Sequence, residues 1–206
     1  MSFGKPKTYT ESGISGKRLH NTSENKVDLE YIKSREYHDK FKTITNNQAV
    51  NEQIYKQSKA FLTHRNGTNY ENICLIDNKT GRIVALQNDS QNDFDVGDYN
   101  KKMKDAIKNN PPYSLISLHN HPTNNPPTGS DIVSNGSNKY QLSVVVTHNG
   151  KVFLYKAGNK PFTAYSFGMR VDKYRGNKYN LSEYEAIIQT LKDYTEQYGI
   201  EWREFV

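Results

Sequence analysis

A chain of 206 residues is long enough for one domain with a substantial core plus extensions, or for two small domains. It is 34% hydrophobic and 24% charged, with 15 tyrosines and 8 phenylalanines, which indicates a polar globular protein with an aromatic core. The single cysteine excludes an internal disulfide framework, and no apolar run reaches the length of a membrane span. Because the N-terminus also lacks an apolar secretory segment, we expect a cytoplasmic protein with no membrane partner.

The net charge of +6 and the isoelectric point of about 9.1 permit contact with nucleic acid or another acidic partner. Lysines and arginines are scattered without a dense run, so a solvated basic surface is the favoured interpretation. Nucleic acid stays an open but unfavoured partner.

The N-terminal third divides into two parts. Residues 1–27 almost lack apolar side chains, which predicts a disordered segment or a linker, as in a chain cut from or tethered to a larger protein. Residues 28–66 form a predicted helical extension, with a short amphipathic helix between Leu29 and Phe41 and a longer one from Gln48 to Arg65.

A strand–turn–strand pattern follows, in which Glu71–Asp77 and Arg82–Leu86 flank the turn Asn78–Gly81. Cys74 lies in the middle of the first strand, where a small buried hydrophobe is the better interpretation than a nucleophile. Asp98–Lys108 is a predicted helix.

A histidine-rich strand forms the centre of the chain. The apolar run from Ser114 ends in His119-Asn-His121-Pro122, and proline stops a ladder because it has no N–H. Side chains two apart on a strand share a face, so the two imidazoles project together. Thr128-Gly-Ser-Asp131 then opens a helix that ends near residue 137. Two imidazoles and a carboxylate that leave a fourth position open match a catalytic zinc site.

Simpler interpretations exist for the same residues. Thr128 and Asp131 are also a good helix-capping pair, and His121-Pro122 can simply terminate a strand. All these features fall in one short window in the order strand, loop, helix, which favours the metal site.

The remaining elements are a hairpin and a C-terminal region. Leu142–Thr147 and Lys151–Tyr155 flank the turn His148-Asn-Gly150, and this position argues against His148 as a ligand. Residues 159–206 begin with interleaved aromatic and basic side chains, which favour a segment that wraps the domain over one that stacks nucleic-acid bases. The chain then ends in a predicted helix, Leu181–Tyr198.

The motif resembles the signature of the JAMM (JAB/MPN-type) metalloproteases, which is His-x-His-Pro, a short loop, and Ser-x-x-Asp. Here it consists of His119, His121, Pro122 and Asp131, with Thr128 in place of the usual serine and a loop one residue shorter than the commonest form. The order of the predicted elements gives an α/β fold with a mixed β-sheet flanked by helices. The resemblance implies the three-layer, deaminase-like JAB/MPN fold over residues 67–158.

The resemblance also implies a function. It implies a zinc-dependent hydrolase that cleaves peptide or isopeptide bonds through a metal-activated water, with protein or peptide substrates. The family has a glutamate on an earlier strand, and Glu71 is the candidate general base, preferred over Glu52 in the predicted helix. Thr128, or alternatively Ser130, would donate a hydrogen bond to the oxyanion.

Other functions are weighed against this one. One cysteine excludes the zinc nucleobase deaminases, and the helical His-Glu-x-x-His motif is absent. The N-terminal helices followed by the domain that carries His119, His121 and Asp131 look similar to the JAMM-like ends of bacteriophage head-morphogenesis proteins. This resemblance implies capsid components as partners and the host cytoplasm or the virion as the location. Such a protein could retain the fold without turnover. A nucleic-acid-associated role, like that of the RadC-type relatives, is a third hypothesis.

Overall fold

A six-stranded mixed β-sheet with helices on both faces forms the protein, as seen in a computed structural model that describes residues 25–206. The sheet order is β2-β1-β3-β4-β5-β6. The strands are β1 (Ile73–Asp77), β2 (Ile83–Gln87), β3 (Leu115–His121), β4 (Leu142–Thr147), β5 (Val152–Lys156) and β6 (Glu201–Phe205).

The histidine strand lies inside the sheet. β3 pairs antiparallel with β1 and parallel with β4, and the other strand pairs are antiparallel. All seven residues of β3 are buried, which is expected for a strand with neighbours on both edges and helices above and below it. The predicted α/β mixed sheet flanked by helices is therefore confirmed.

Within the described residues, six α-helices surround the sheet, preceded by a short 3₁₀ turn. They are α1 (Arg35–Asp39), α2 (Gln48–Arg65), α3 (Lys101–Asn109), α4 (Gly129–Ser137), α5 (Ala164–Arg175) and α6 (Glu183–Tyr198). Successive side chains of each strand point to opposite faces of the sheet. Both faces are apolar because helices cover both of them.

One face of the sheet packs against α2, and the other carries α3 to α6. On the α2 face, Cys74, Leu118 and Val146 join the apolar side chains of α1 and α2 in one core. On the opposite face, Val145 and Phe153 lie in a core with α4, α5 and α6. We call this second surface the site face, because His119 pairs in register with Val145 and lies on it.

Several predicted elements agree closely with the structure. The helix predicted from Gln48 to Arg65 and the strand predicted from Leu142 to Thr147 have those bounds. Cys74 is fully buried, and burial raises the pKa of its thiol, as suits a core residue rather than a nucleophile.

Several elements differ from the prediction, among them the strand predicted over Glu71–Asp77, which begins at Ile73 and leaves Glu71 just ahead of it. Between Leu29 and Phe41 the chain forms a 3₁₀ turn and the five-residue α1 instead of one amphipathic helix. The aromatic and basic stretch contains the helix α5. The chain does not end in a helix, because Gly199 adopts φ 71° after α6 and redirects the chain into β6 along β5.

Residues 1–27 were predicted to be a disordered segment or a linker. Residues 1–24 of this segment lie outside the residues that the structure describes. Within residues 25–206, no helix combines the length and the apolar composition that a membrane crossing needs.

Candidate metal centre

The two histidines of the motif lie at the end of β3, on the site face. His119 is placed in a row across the sheet, with Ile73 of β1 on one side and Val145 of β4 on the other. His121 follows on the same face, and both side chains are almost fully buried. The predicted side-by-side placement is confirmed, with the ring centroids 4.8 Å apart.

The carboxylate of Asp131 reaches the histidines from the first turn of α4. Its Oδ2 accepts hydrogen bonds from the backbone N–H and the hydroxyl of Thr128, both at 2.8 Å. At the helix start there is no room for a side chain at Gly129, since a Cβ there would lie 2.6 Å from Cβ of Phe167 in α5. The N-terminus of α4 is thus fixed against α5, and Thr128 orients the acid. Helix capping and the metal-site geometry involve the same residues.

His119, His121 and Asp131 converge on one point. The two Nε2 atoms are 2.9 Å apart, and they lie 3.2 Å (His119) and 3.4 Å (His121) from the carboxylate oxygens of Asp131. Zinc bonds of about 2.0–2.2 Å in a tetrahedron correspond to ligand–ligand separations of about 3.4 Å. The donor set and its spacing therefore fit a metal ion, and these three residues can hold one.

The hydrogen bond of His121 and the pKa shifts of His119 and Asp131 suit a cation. Nδ1 of His121 donates to the carbonyl oxygen of Asn125 at 3.1 Å, which leaves Nε2 with its lone pair toward the centre. Burial lowers the pKa of His119, and the charges of Asp131 and Asp95 oppose this only in part. Burial would raise the pKa of Asp131, but the two histidines outweigh it and hold that pKa well below its usual range. Neutral imidazoles beside an ionised carboxylate are the forms that bind metal.

Glu71 lies in the same cavity as the three candidate ligands. Glu71 lies just before β1, in a segment that is tied to β3 by the hydrogen bond from Asn120 N–H to Asn72 O. Glu71 is 5% exposed and lines a cavity of about 420 Å³ together with the triad. The rival Glu52 lies on α2, where it contacts His38 at 2.8 Å, and does not line this cavity.

No family model, curated protein or solved structure matches the chain. The geometry of the residues themselves is therefore the basis for assigning a role to the centre.

Two predicted hydroxyl groups have different surroundings. Thr128 is 3% exposed, and its hydroxyl proton is directed at Asp131. Ser130 is exposed and lines the cavity. Both residues line the cavity. The hydroxyl of Thr128 is bonded to Asp131, so Ser130 is the better candidate for a donor to a bound substrate.

Arg65 holds the segment that carries Glu71, and the sequence analysis did not name it. Its buried guanidinium donates to the carbonyl oxygens of Glu71 and Ser90 and to the side chain of Asn72. Asn120, between the two histidines, accepts from the backbone N–H of Asn72 at 2.8 Å. The available sequence signal was an arginine at the end of a predicted helix, shortly before Glu71. These bonds fix the backbone that carries Glu71.

His148 is not part of the metal-binding group, as predicted. It is buried, its Nδ1 donates to the carbonyl oxygen of Asn25 at 2.7 Å, and its Nε2 faces the amide nitrogen of Asn120 at 3.3 Å. Burial lowers the pKa of His148 to about 4, and a proton on Nε2 would face another donor. The folded protein thus selects the neutral ring.

We expect His148 to make stability fall on acidification. The unfolded state binds its proton near pH 6.5 and the folded state near pH 4, so stability is full above pH 6.5 and declines below it. Between pH 7 and pH 5 the loss from this residue should be about 2 kcal/mol. Urea unfolding in a chelator, with His148→Asn as the comparison, measures it. An equal decline in both proteins would contradict the expectation.

Proposed function

We propose that this protein is a zinc-dependent hydrolase of the JAMM type, with the JAB/MPN fold, that cleaves peptide or isopeptide bonds. The observation that carries the proposal is the convergence of His119, His121 and Asp131 in one cavity with Glu71. Three protein ligands with an open fourth position characterise catalytic rather than structural zinc sites.

The chain supplies ligands, a base and a hydrogen-bond donor. A zinc ion held by the triad would polarise the substrate carbonyl and lower the pKa of a coordinated water to about 7. Glu71 would accept a proton from the attacking water and deliver it to the leaving amine, so that an amide and a water become a carboxylic acid and an amine. What supports this role is that Glu71 is buried and lines the same cavity as the three ligands.

Ser130 is the proposed donor to the developing oxyanion. Ser130 is exposed and lines the cavity, while the hydroxyl of Thr128 is directed at Asp131. Loss of one such donor typically raises a barrier by about 2.7–4 kcal/mol. In this proposal Thr128 positions a ligand and Ser130 contacts the reacting group.

Thr128→Val should weaken zinc binding by about 10- to 100-fold, the usual effect of removing a hydrogen bond to a metal ligand. Valine keeps the β-branched shape but cannot donate to Asp131. Competition with a chromogenic zinc chelator measures the affinity, and Thr128→Ser, which keeps the hydroxyl, is the matched control. Wild-type affinity in the valine variant would show that the contact does not orient the carboxylate.

The natural substrates are proposed to be proteins, with phage capsid components as candidates if the chain serves head assembly. The test is a comparison of cleaved fragments among co-expressed neighbouring proteins, made with wild type and with Glu71→Gln. Fragments that depend on Glu71 support the hydrolase. Stoichiometric zinc without any such fragment would favour an assembly protein that keeps the fold without turnover.

A further inference from the structure

Part of the cavity wall is formed by the segment of residues 88–100, between β2 and α3. Val96 and Tyr99 of this segment line the cavity, and so do Asp95 and Asp98. Both aspartates are exposed. The wall therefore combines an apolar surface with two negative charges next to the candidate metal centre.

This wall is held in place by the side chain of Gln87, which is 5% exposed. Its amide nitrogen donates to the carbonyl oxygens of Val96 at 2.6 Å and Asp98 at 3.1 Å, and its oxygen accepts from Asn100 N–H at 2.7 Å. Ser90 donates to the carbonyl oxygen of Asp95 at 3.1 Å. Oδ1 of Asp95 accepts a hydrogen bond from Gly97 N–H at 2.7 Å, while the bonds of Gln87 and Ser90 use only the backbone of this segment.

The charge of the cavity is opposite to that of the chain. The chain carries a net charge of +6, but among the described lining residues the carboxylates of Glu71, Asp95, Asp98 and Asp131 face a single ammonium, Lys104. Asp95 and Asp98 are not among the candidate ligands, so their negative charges would remain beside a divalent cation on the triad. Phosphate groups would be repelled there, whereas a cationic group would be attracted.

We propose that this wall selects substrates with a lysine or arginine side chain next to the scissile bond. Such side chains pair an aliphatic stem with a cationic tip, which matches the apolar surface of Val96 and Tyr99 and the charges of Asp95 and Asp98. The inference rests on the proposed hydrolase function and names its substrate class. Asp95 and Asp98 are specificity residues in this account and take no part in bond cleavage.

The test measures binding without turnover. Zinc-loaded Glu71→Gln protein is titrated into fluorescein-labelled octapeptides that differ at one central residue, which is arginine, lysine, alanine or glutamate. We expect the arginine and lysine peptides to bind at least about 10-fold more tightly than the glutamate peptide at low salt. Adding Asp95→Asn and Asp98→Asn should remove most of this difference, and Asp95→Lys with Asp98→Lys should reverse it. Glu196→Gln, a neutralisation on α6 outside the cavity, should leave it unchanged.

Two results would overturn the inference. One is equal binding of all four peptides, and the other is the absence of binding by any of them. The hydrolase proposal is tested separately, by fragment formation in the wild type. If the wild type cleaves proteins but the peptides show no charge preference, only the inferred substrate class is wrong.

Discussion

Replacing His119 with alanine should abolish stoichiometric zinc binding, whereas the wild-type protein should hold close to one zinc per chain. Nε2 of His119 lies within 3.2 Å of both His121 Nε2 and an oxygen of Asp131, so it forms one corner of the only three-residue ligand group found among residues 25–206. Loss of the hydrogen-bond partner of a ligand typically lowers metal affinity by about 10- to 100-fold. Loss of a ligand itself should have a larger effect, so the zinc affinity should fall by more than about 100-fold.

Metal analysis after gel filtration measures the zinc content, and thermal unfolding gives a second readout. At a zinc concentration about 100 times the dissociation constant, binding adds about 2.7 kcal/mol of stability, which raises the melting temperature of a domain of this size by about 5–10 °C. His119→Ala should show no such rise. His38→Ala is the matched control, because it removes an imidazole that contacts a carboxylate, Glu52, elsewhere in the fold. Full zinc content in His119→Ala would refute the centre.

The site was predictable where its parts are close in sequence. His119 and His121 share a face because one strand carries both, and Asp131 follows them at a helix start recognisable from Thr128. Glu71 is more distant, and it was named only because the resemblance implies a glutamate on an earlier strand. Its place in the same cavity depends on the pairing of β1 with β3, which local sequence patterns do not determine.

The parts that were not predicted depend on contacts between distant segments. β6 contains only two apolar residues, Trp202 and Phe205, and becomes a strand because β5 offers it a free edge. The cavity wall has no periodicity, and its shape follows from hydrogen bonds that Gln87 makes to backbone carbonyls. Such bonds leave no pattern in the sequence of the segment they hold.

Glu71→Gln should keep the zinc and lose the cleavage. The amide has the shape of the carboxylate, and Glu71 is not among the three converging ligands, so the zinc content should equal that of the wild type. The glutamine amide cannot accept the proton of the attacking water. General base catalysis is typically worth about 10²–10⁴-fold in rate. The rate of fragment formation should fall by that factor.

The pair of results separates catalysis from metal binding, because His119→Ala should lose both properties and Glu71→Gln only one. Glu52→Gln is the matched control, since Glu52 was the rival base and lies on α2 against His38. Its zinc content and its rate should match those of the wild type. If Glu71→Gln cleaves at the wild-type rate, another group must take the proton, and Glu71 would then have only a structural role in the cavity.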